Sequence, residues 1–330
     1  MKNLLTDVPG LKVGNSDDKR VATGVTAIVF DEPAVASISI LGGAPGVRDT
    51  AMLEPEMTVG AVDAILLSGG SAFGLDAAGG AMAALREKGR GFQVRSVRVP
   101  IVPQAILFDL LNGGDKEWGR NSPYPELGHQ AVMRASLDFK LGTVGAGYGA
   151  TTATLKGGLG SASRMTASGY TVGAIVAVNA VGTATLGDGP HFWAAPFEQN
   201  EEFGGLGWPN PFPVDALKAR LKGGPSENTV IALIATDAIL TKAECKRLAL
   251  SAHDGMARAI RPAHTPMDGD VVFAASTGHK PLANGVIDLT ELCMAASDTL
   301  ARAIARGVYE AEALPFGDAQ AAWKDRYARH

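Results

Sequence analysis

A threonine hydroxyl is a poor nucleophile until a neighbouring base takes its proton. In this chain the dipeptide Asn228-Thr229 offers Thr229 an unusual base, its own α-amine. That amine is free only if the chain is cut immediately before Thr229. It then titrates at about 7.7–8.0, close to working pH, which suits a general base. The flanking sequence fits such a cut. A polar loop, Gly223-Gly-Pro-Ser-Glu-Asn228, leads in, and a near-continuous apolar run, Thr229–Thr236, follows. A run of that kind reads as a strand buried on both faces, which would hold the new terminus rigidly. An Asn-Thr pair can equally be an ordinary loop-to-strand junction, so its company matters.

Three other features could serve the same chemistry. Asp268 and Asp270 stand in Met267-Asp-Gly-Asp270, just before a second apolar run. Carboxylates this close can share a proton, raise one pKa and orient an amine or hydroxyl, or they can simply sit in a solvated turn. Asn179 closes another apolar strand. A buried amide there needs partners and could donate to a developing oxyanion. Lys156 precedes Gly157-Gly-Leu-Gly160 and places a charged donor in a glycine-rich setting. Each of these, taken alone, suits a structural role better than a catalytic one.

Other chemistries find little support. The six histidines form no H-E-x-x-H pattern, and Cys245 and Cys293 are too far apart for a metal spacing, so no metal is expected. No Walker A motif or dinucleotide fingerprint is present, so no cofactor is expected either. Gly69-Gly-Ser-Ala-Phe-Gly74 lies where a nucleophile elbow would lie, but Phe73 takes the place of the second glycine. Ser71 is therefore expected to be the N-cap of a helix running through Leu85. The net charge of −4 and the lack of a Lys/Arg block argue against nucleic acid or anionic membrane as a partner. No apolar stretch is long enough to span a bilayer, the start lacks a signal-peptide pattern, and a cytoplasmic setting is expected.

With 46% hydrophobic and 19% charged residues, the 330-residue chain can bury a sizeable core. Its 41 glycines, well above the typical ~7%, cluster at Gly42–Gly46, Gly69–Gly70, Gly145–Gly149 and Gly157–Gly160. Strands are expected at Gly24–Asp31, Ala36–Leu41, Asp63–Gly69 and, most clearly, Thr171–Asn179. The whole stretch from Gly142 to Gly187 reads as strand-like. From His191 to Pro213 the chain reads as a long irregular loop, and Pro213–Lys222 as a short helix. The last third alternates strand and helix. Thr229–Thr236 and Asp270–Ser276 are the strands. One helix opens on the capping box Thr241-Lys-Ala-Glu244 and runs to about Ile260. A final helix starts at Asp288, and the tail after Pro315 is expected to be peripheral.

As an ordered set these residues resemble the L-aminopeptidase/D-esterase (DmpA-type) hydrolases, which include nylon-oligomer hydrolases. The resemblance rests on Leu5-Thr-Asp-Val-Pro-Gly-Leu-Lys-Val-Gly-Asn15, Gly42-Gly-Ala-Pro-Gly46, Leu67-Ser-Gly-Gly-Ser-Ala-Phe-Gly-Leu-Asp76, Gly145-Ala-Gly147, Lys156-Gly-Gly-Leu-Gly-Ser-Ala-Ser-Arg164, Val178-Asn179 and Asn228-Thr229. It implies a four-layered α/β/β/α sandwich shared with ornithine acetyltransferases. It also implies self-cleavage at Asn228/Thr229 into subunits 1–228 and 229–330, with Thr229 as nucleophile, Asn179 as oxyanion asparagine, and Lys156, Asp268 and Asp270 in assisting positions. Asp-Gly-Asp resembles the nylon-oligomer branch, where aminopeptidase members resemble Ser and Glu instead. A small peptide or amide substrate and a homo-oligomer of processed units are likewise implied. One position departs from the pattern, since Phe108 stands where some members carry a tyrosine. The rival readings are an acyltransferase using the same nucleophile and a binding homologue without activity.

Overall fold

Apolar and β-branched residues fill positions 23–40, interrupted only by the exposed Asp31-Glu32-Pro33. The computed structural model, which describes residues 1–223 and 228–328, makes of them one strand where two were expected. After β1 (Leu11–Asp18), β2 (Thr23–Ile40) runs without a break through both predicted segments. Its first half pairs antiparallel with β1 and with β4 (Val62–Ser68), and its second half pairs antiparallel with β11 (Val271–Lys280). The exposed triplet is the point where the strand passes from one sheet to the other.

The first sheet runs β3 (Gly46–Arg48), β7 (Gln104–Ile106), β4, β2, with β1 also on β2. The second runs β2, β11, β10 (Thr229–Ala238), β9 (Thr171–Asn179), β8 (Leu159–Met165). A small exposed hairpin, β5 (Phe92–Val94) and β6 (Val97–Val99), stands apart. In the second sheet β10 and β11 are parallel, and β9 and β8 continue antiparallel.

Because strand side chains alternate between faces, each sheet has two burial partners. Ile231, Leu233 and Ala235 of β10 meet Ile28, Phe30 and Leu67 in a core between the sheets. Val230, Ala232 and Ile234 face outward onto α3 (Lys242–Ala259) and α4 (Val286–Tyr309). On the far side Val25, Ala27, Ala64 and Leu66 pack on α1 (Ala77–Glu87) and α2 (Tyr124–Met133). Helices, sheet, sheet and helices therefore form an α/β/β/α sandwich, as the resemblance implied. Each fully buried aliphatic in these three cores contributes about 1.5–3 kcal/mol.

Several expectations hold at residue level. β9 keeps the expected bounds, and α3 is capped by Thr241, which accepts from the Glu244 N–H in a closed capping box. The 191–213 stretch is irregular apart from one 3-10 turn, Ala195–Phe197.

Four expectations are corrected. Ser71 caps nothing. It has a left-handed φ of 51° and begins a 3-10 turn, Ser71–Asp76, and α1 starts only at Ala77. Pro213–Lys222 is not a helix. The Arg220 guanidinium gathers Asp188 and Asp215, and Lys222 is drawn onto the end of β9 by a backbone bond to the Val181 carbonyl. Between Gly142 and Leu159 the chain is mostly irregular, with one 3-10 turn at Gly145–Gly147, because its glycines let backbone pack against backbone. The tail is not peripheral. It ends in α5 (Trp323–Tyr327), whose buried Trp323 stacks on Phe192, and the Ala321 carbonyl accepts from the Lys156 N–H. Of the loop expected before the cut, 224–227 lie outside the described residues.

Candidate active site

Thr229 opens β10 directly opposite Asn179, the last residue of β9. Antiparallel partners share a face, so both side chains point into the space between the sheets, on the same side as Ile231 and Ala177. Thr229 is 2% exposed and Asn179 is fully buried. Sheet register alone thus joins two residues fifty positions apart.

The Asp-Gly-Asp turn supplies the next contacts. It lies between His264 and β11 and grips the chain on both sides of Thr229. The Met267 carbonyl accepts from the Asn228 N–H at 3.2 Å, and the Gly269 N–H donates to the Asn228 carbonyl at 2.7 Å. Asp270 Oδ1 accepts from the Val230 N–H at 2.9 Å. Gly269 must be glycine, because a Cβ there would stand 2.7 Å from both Thr229 Oγ1 and the Ala44 carbonyl oxygen. The cluster at Gly42 is explained by the same packing, since a Cβ on Gly42 would strike the backbone of Asp268 and Asp270. The Ala44 N–H donates to the Asp268 carbonyl at 2.8 Å.

Both aspartates are buried, and both are occupied. Asp268 accepts from the Thr265 N–H at 2.8 Å and from the Val181 N–H at 3.4 Å. Burial, with the nearby Asp270 charge second, pushes its pKa up. Asp270 Oδ2 accepts from the backbone N–H of His264 at 2.9 Å and meets His264 Nδ1 at 2.8 Å.

On the other side of Asn179 stand the amines. The amide Nδ2 donates to the Phe108 carbonyl at 3.0 Å, while Oδ1 accepts from the Thr151 N–H at 3.0 Å and from Lys222 Nζ at 3.1 Å. Lys156 is fully buried and donates to the carbonyls of Gly147, Ala150 and Gly157 at 3.1, 2.7 and 2.7 Å. Its three protons are therefore committed to backbone. Burial lowers its pKa to about 7 against the pull of Asp109, with the Lys222 charge adding to the lowering. Lys222 is lowered to about 7 as well, again by burial and against Asp268 and Asp109. As a residue Lys222 keeps partial exposure, but its ammonium lies on Asn179, where desolvation acts.

Two clefts meet at Phe108. One, of about 400 Å³, lies beside Thr229 and is walled largely by Pro45, Val47, Leu75, Ile106 and Phe108, with Ser71 on its lining. The other, of about 240 Å³, holds Lys156, Lys222, Asp109, Asn112 and Asp318. Asp109 is buried at its edge, accepts from Thr23 Oγ1 and the Gly70 N–H, and has its pKa raised by burial.

Of the sequence-derived candidates, Thr229, Asn179, Asn228, Asp268 and Asp270 come together. Lys156 lies in the neighbouring cleft with its donors spent. Lys222 and His264 escaped the sequence reading, although Lys222 is the only lysine in the loop between Pro213 and Thr229 besides Lys218. Among the described residues no group of three or more His, Cys, Asp or Glu side chains could hold a metal ion, and no helix is long and apolar enough to cross a membrane.

A family model described as peptidase family S58 matches residues 3–321. The chain belongs to peptidase family S58. A protein of Mycobacterium tuberculosis named as an uncharacterized aminopeptidase is 42% identical over 333 residues, covering 94% of each chain. A 6-aminohexanoate-oligomer endohydrolase of a Kocuria strain is 27% identical and covers 84% of this chain and 75% of its own. Among solved structures, a Burkholderia beta-aminopeptidase superposes with a TM-score of 0.70 at 22% identity, covering 98% of this chain and 91% of that one. At that identity the likeness speaks for the fold. Family and relatives together make this S58 chain a peptidase-type hydrolase.

Proposed function

We propose that this S58 protein activates itself by cutting Asn228–Thr229 and then hydrolyses amide bonds through an acyl-enzyme on Thr229. One observation carries the reading. The carbonyl that would be attacked is held by the Gly269 N–H, and the hydroxyl that would attack it is packed on that same glycine. A backbone donor at 2.7 Å is at the distance required to stabilise an oxyanion.

In the first reaction Thr229 Oγ1 attacks the Asn228 carbonyl carbon and loses its proton to a nearby base. Asp268 and Lys222 are the candidates, because both titrate away from their ordinary ranges toward neutrality. The C–N bond breaks, the proton passes to the departing Thr229 nitrogen, and an ester remains. Water hydrolyses that ester to give fragments 1–228 and 229–330 and a free α-amine. In later turnovers the amine is the base for Thr229. A substrate carbonyl then replaces that of Asn228, and Asn179 Nδ2 would donate its second N–H to it. The apolar walls of the cleft beside Thr229 favour an apolar portion of the substrate. Asp268 and Asp270, together with the oligomer hydrolase among the relatives, support a linear oligoamide or peptide as substrate.

A denaturing gel with N-terminal sequencing tests the scheme. Two bands are expected, the smaller beginning Thr-Val-Ile-Ala, and Thr229→Ala is expected to stay whole and inactive. Active protein running as one intact band would overturn it.

A further inference from the structure

Asp270 fixes the backbone at Val230, but what fixes Asp270 is His264. Its ring Nδ1 and its backbone N–H both meet Asp270 Oδ2, at 2.8 and 2.9 Å, leaving Oδ1 for the Val230 N–H. His264 sits at φ 56°, a left-handed conformation that costs a side chain of this type roughly 1–2 kcal/mol. The ring is also sandwiched. His253 of α3 meets it edge-on, with centroids 4.8 Å apart and planes at 76°, and His253 is itself tied by Nε2 to the Ser39 carbonyl of β2 at 3.1 Å. His264 Nε2 is buried against the His253 backbone. A strained backbone is tolerated here to keep one ring on one carboxylate oxygen.

We propose that His264 is the positioning residue of this site: it orients Asp270, which holds the strand start at Val230 and so sets where the Thr229 hydroxyl stands. The proposal rests on the reading of Thr229 as nucleophile and of the Asn228 carbonyl as its first target.

Its titration should then be visible in the reaction. The groups facing the ring are Asp270 and Asp268 from its own turn and, from α3, His253, whose backbone carbonyl also favours the charged ring. Burial alone would lower the pKa of His264, but the bond to Asp270 and the Asp270 charge outweigh it, so the pKa lies above the ordinary value. His253 is lowered to about 4, mainly by burial, and is neutral in the working range. Imidazolium at His264 draws charge from Asp270. As the pH rises through its titration the Nε2 proton leaves, the Nδ1–H bond stays, and the carboxylate accepts more strongly from the Val230 N–H. Self-cleavage should accelerate across that step, which falls on the alkaline side of the ordinary histidine range.

Asparagine separates geometry from titration. It can place its amide N–H near the position of Nδ1–H, tolerates left-handed φ, and does not titrate. The precursor would be refolded from denaturant at pH values between about 5 and 9, and its cleavage timed on a denaturing gel, for wild type, His264→Asn, His264→Leu and Thr229→Ala. His264→Leu should slow cleavage by about 10–100-fold, the usual loss when a supporting hydrogen-bond partner is removed. His264→Asn should restore most of the rate but lack the step. Lys156 and Lys222 titrate nearby in every variant, so the readout is the difference between profiles. His264→Leu cleaving at the wild-type rate, or His264→Asn retaining the wild-type step, overturns the proposal. Wild type that never cleaves, or Thr229→Ala that does, overturns the reading of Thr229 instead. If His264→Leu does not refold, as judged by its thermal transition, the comparison of His264→Asn with wild type decides.

Discussion

The two sides of Thr229 are built differently. On the carboxylate side, the turn from His264 to Asp270 is closed. Its aspartates are buried, their oxygens take backbone donors, and its backbone bonds Asn228 before the junction while Asp270 bonds Val230 after it. On the amine side, Lys222 lines an open cleft and reaches from it onto the buried Asn179, and it comes from the very loop that leads into the junction. The closed side is suited to holding a bond still. The open side is suited to moving protons. Rigidity and access are thus separated onto different strands, the turn belonging to β11 and the cleft to the loops around β8 and β9.

The sharpest way to break this comparison is to disturb the closed side with one carbon. Gly269→Ala places a Cβ about 2.7 Å from Thr229 Oγ1 and the Ala44 carbonyl oxygen, and should abolish self-cleavage in folded precursor. Intact cleavage on a denaturing gel would show that the turn has room to give and is not the rigid side. Next in size is Lys156→Met. The carbonyls of Gly147, Ala150 and Gly157 lose the amine, for a stability loss of about 3 kcal/mol by denaturant titration. A loss below about 1 kcal/mol would mean the amine does not carry those carbonyls.

The same lysines make a pH statement. Folded, Lys156 and Lys222 titrate at about 7 rather than 10.5, so between those values the unfolded chain binds more protons. Stability therefore rises with pH across that window. The rise should be shallower in Lys156→Met, and an unchanged slope would contradict the burial assigned to this amine. Lys222→Met frees Asn179 Oδ1 of its ammonium. About a tenfold fall in kcat is expected in processed enzyme, with little change in KM, since the ammonium stands on Asn179 rather than in the apolar cleft. A change confined to KM would move Lys222 from proton handling to substrate binding. The smallest effect is expected from Phe108→Tyr. It adds a hydroxyl where the clefts meet and should alter kcat by only a few-fold, in either direction, leaving self-cleavage at Asn228–Thr229 untouched. A block in cleavage would show that the two sides are not separable.

Much of the second sheet was legible before any coordinates. Thr171–Asn179 and Thr229–Thr236 carry their own β-branched, apolar signal, and Thr241 with Glu244 closes a local capping box, so short-range chemistry decides them. Asn179 and Thr229 were legible as candidates for a related reason, since one closes and the other opens such a strand. What failed was decided at long range. Residues 23–40 look like two strands because Asp31-Glu32-Pro33 is polar, and only the passage between two sheets explains why the strand continues. Residues 213–222 have helical composition, but Arg220 and Lys222 are claimed by Asp188 and Asn179. Ser71 resembles a cap, yet the preceding Gly70 sets a left-handed turn that points the backbone elsewhere. His264 and Lys222 are single residues in loops, with partners that only the folded sheet supplies.

The shared strand β2 has a consequence for a chain cut at 228–229. The 229–330 fragment would contribute β10 and β11 to the middle of the second sheet, with β9 zipped along one side and the second half of β2 along the other. Both flanking strands belong to the 1–228 fragment, and β2 is anchored at its other end in the opposite sheet. The two pieces would be joined like a tongue in a groove, so losing one covalent bond would leave nothing free to diffuse away. Pulling them apart would mean unzipping two strand interfaces at once and opening the cores on both faces of the sheet, which amounts to unfolding the molecule.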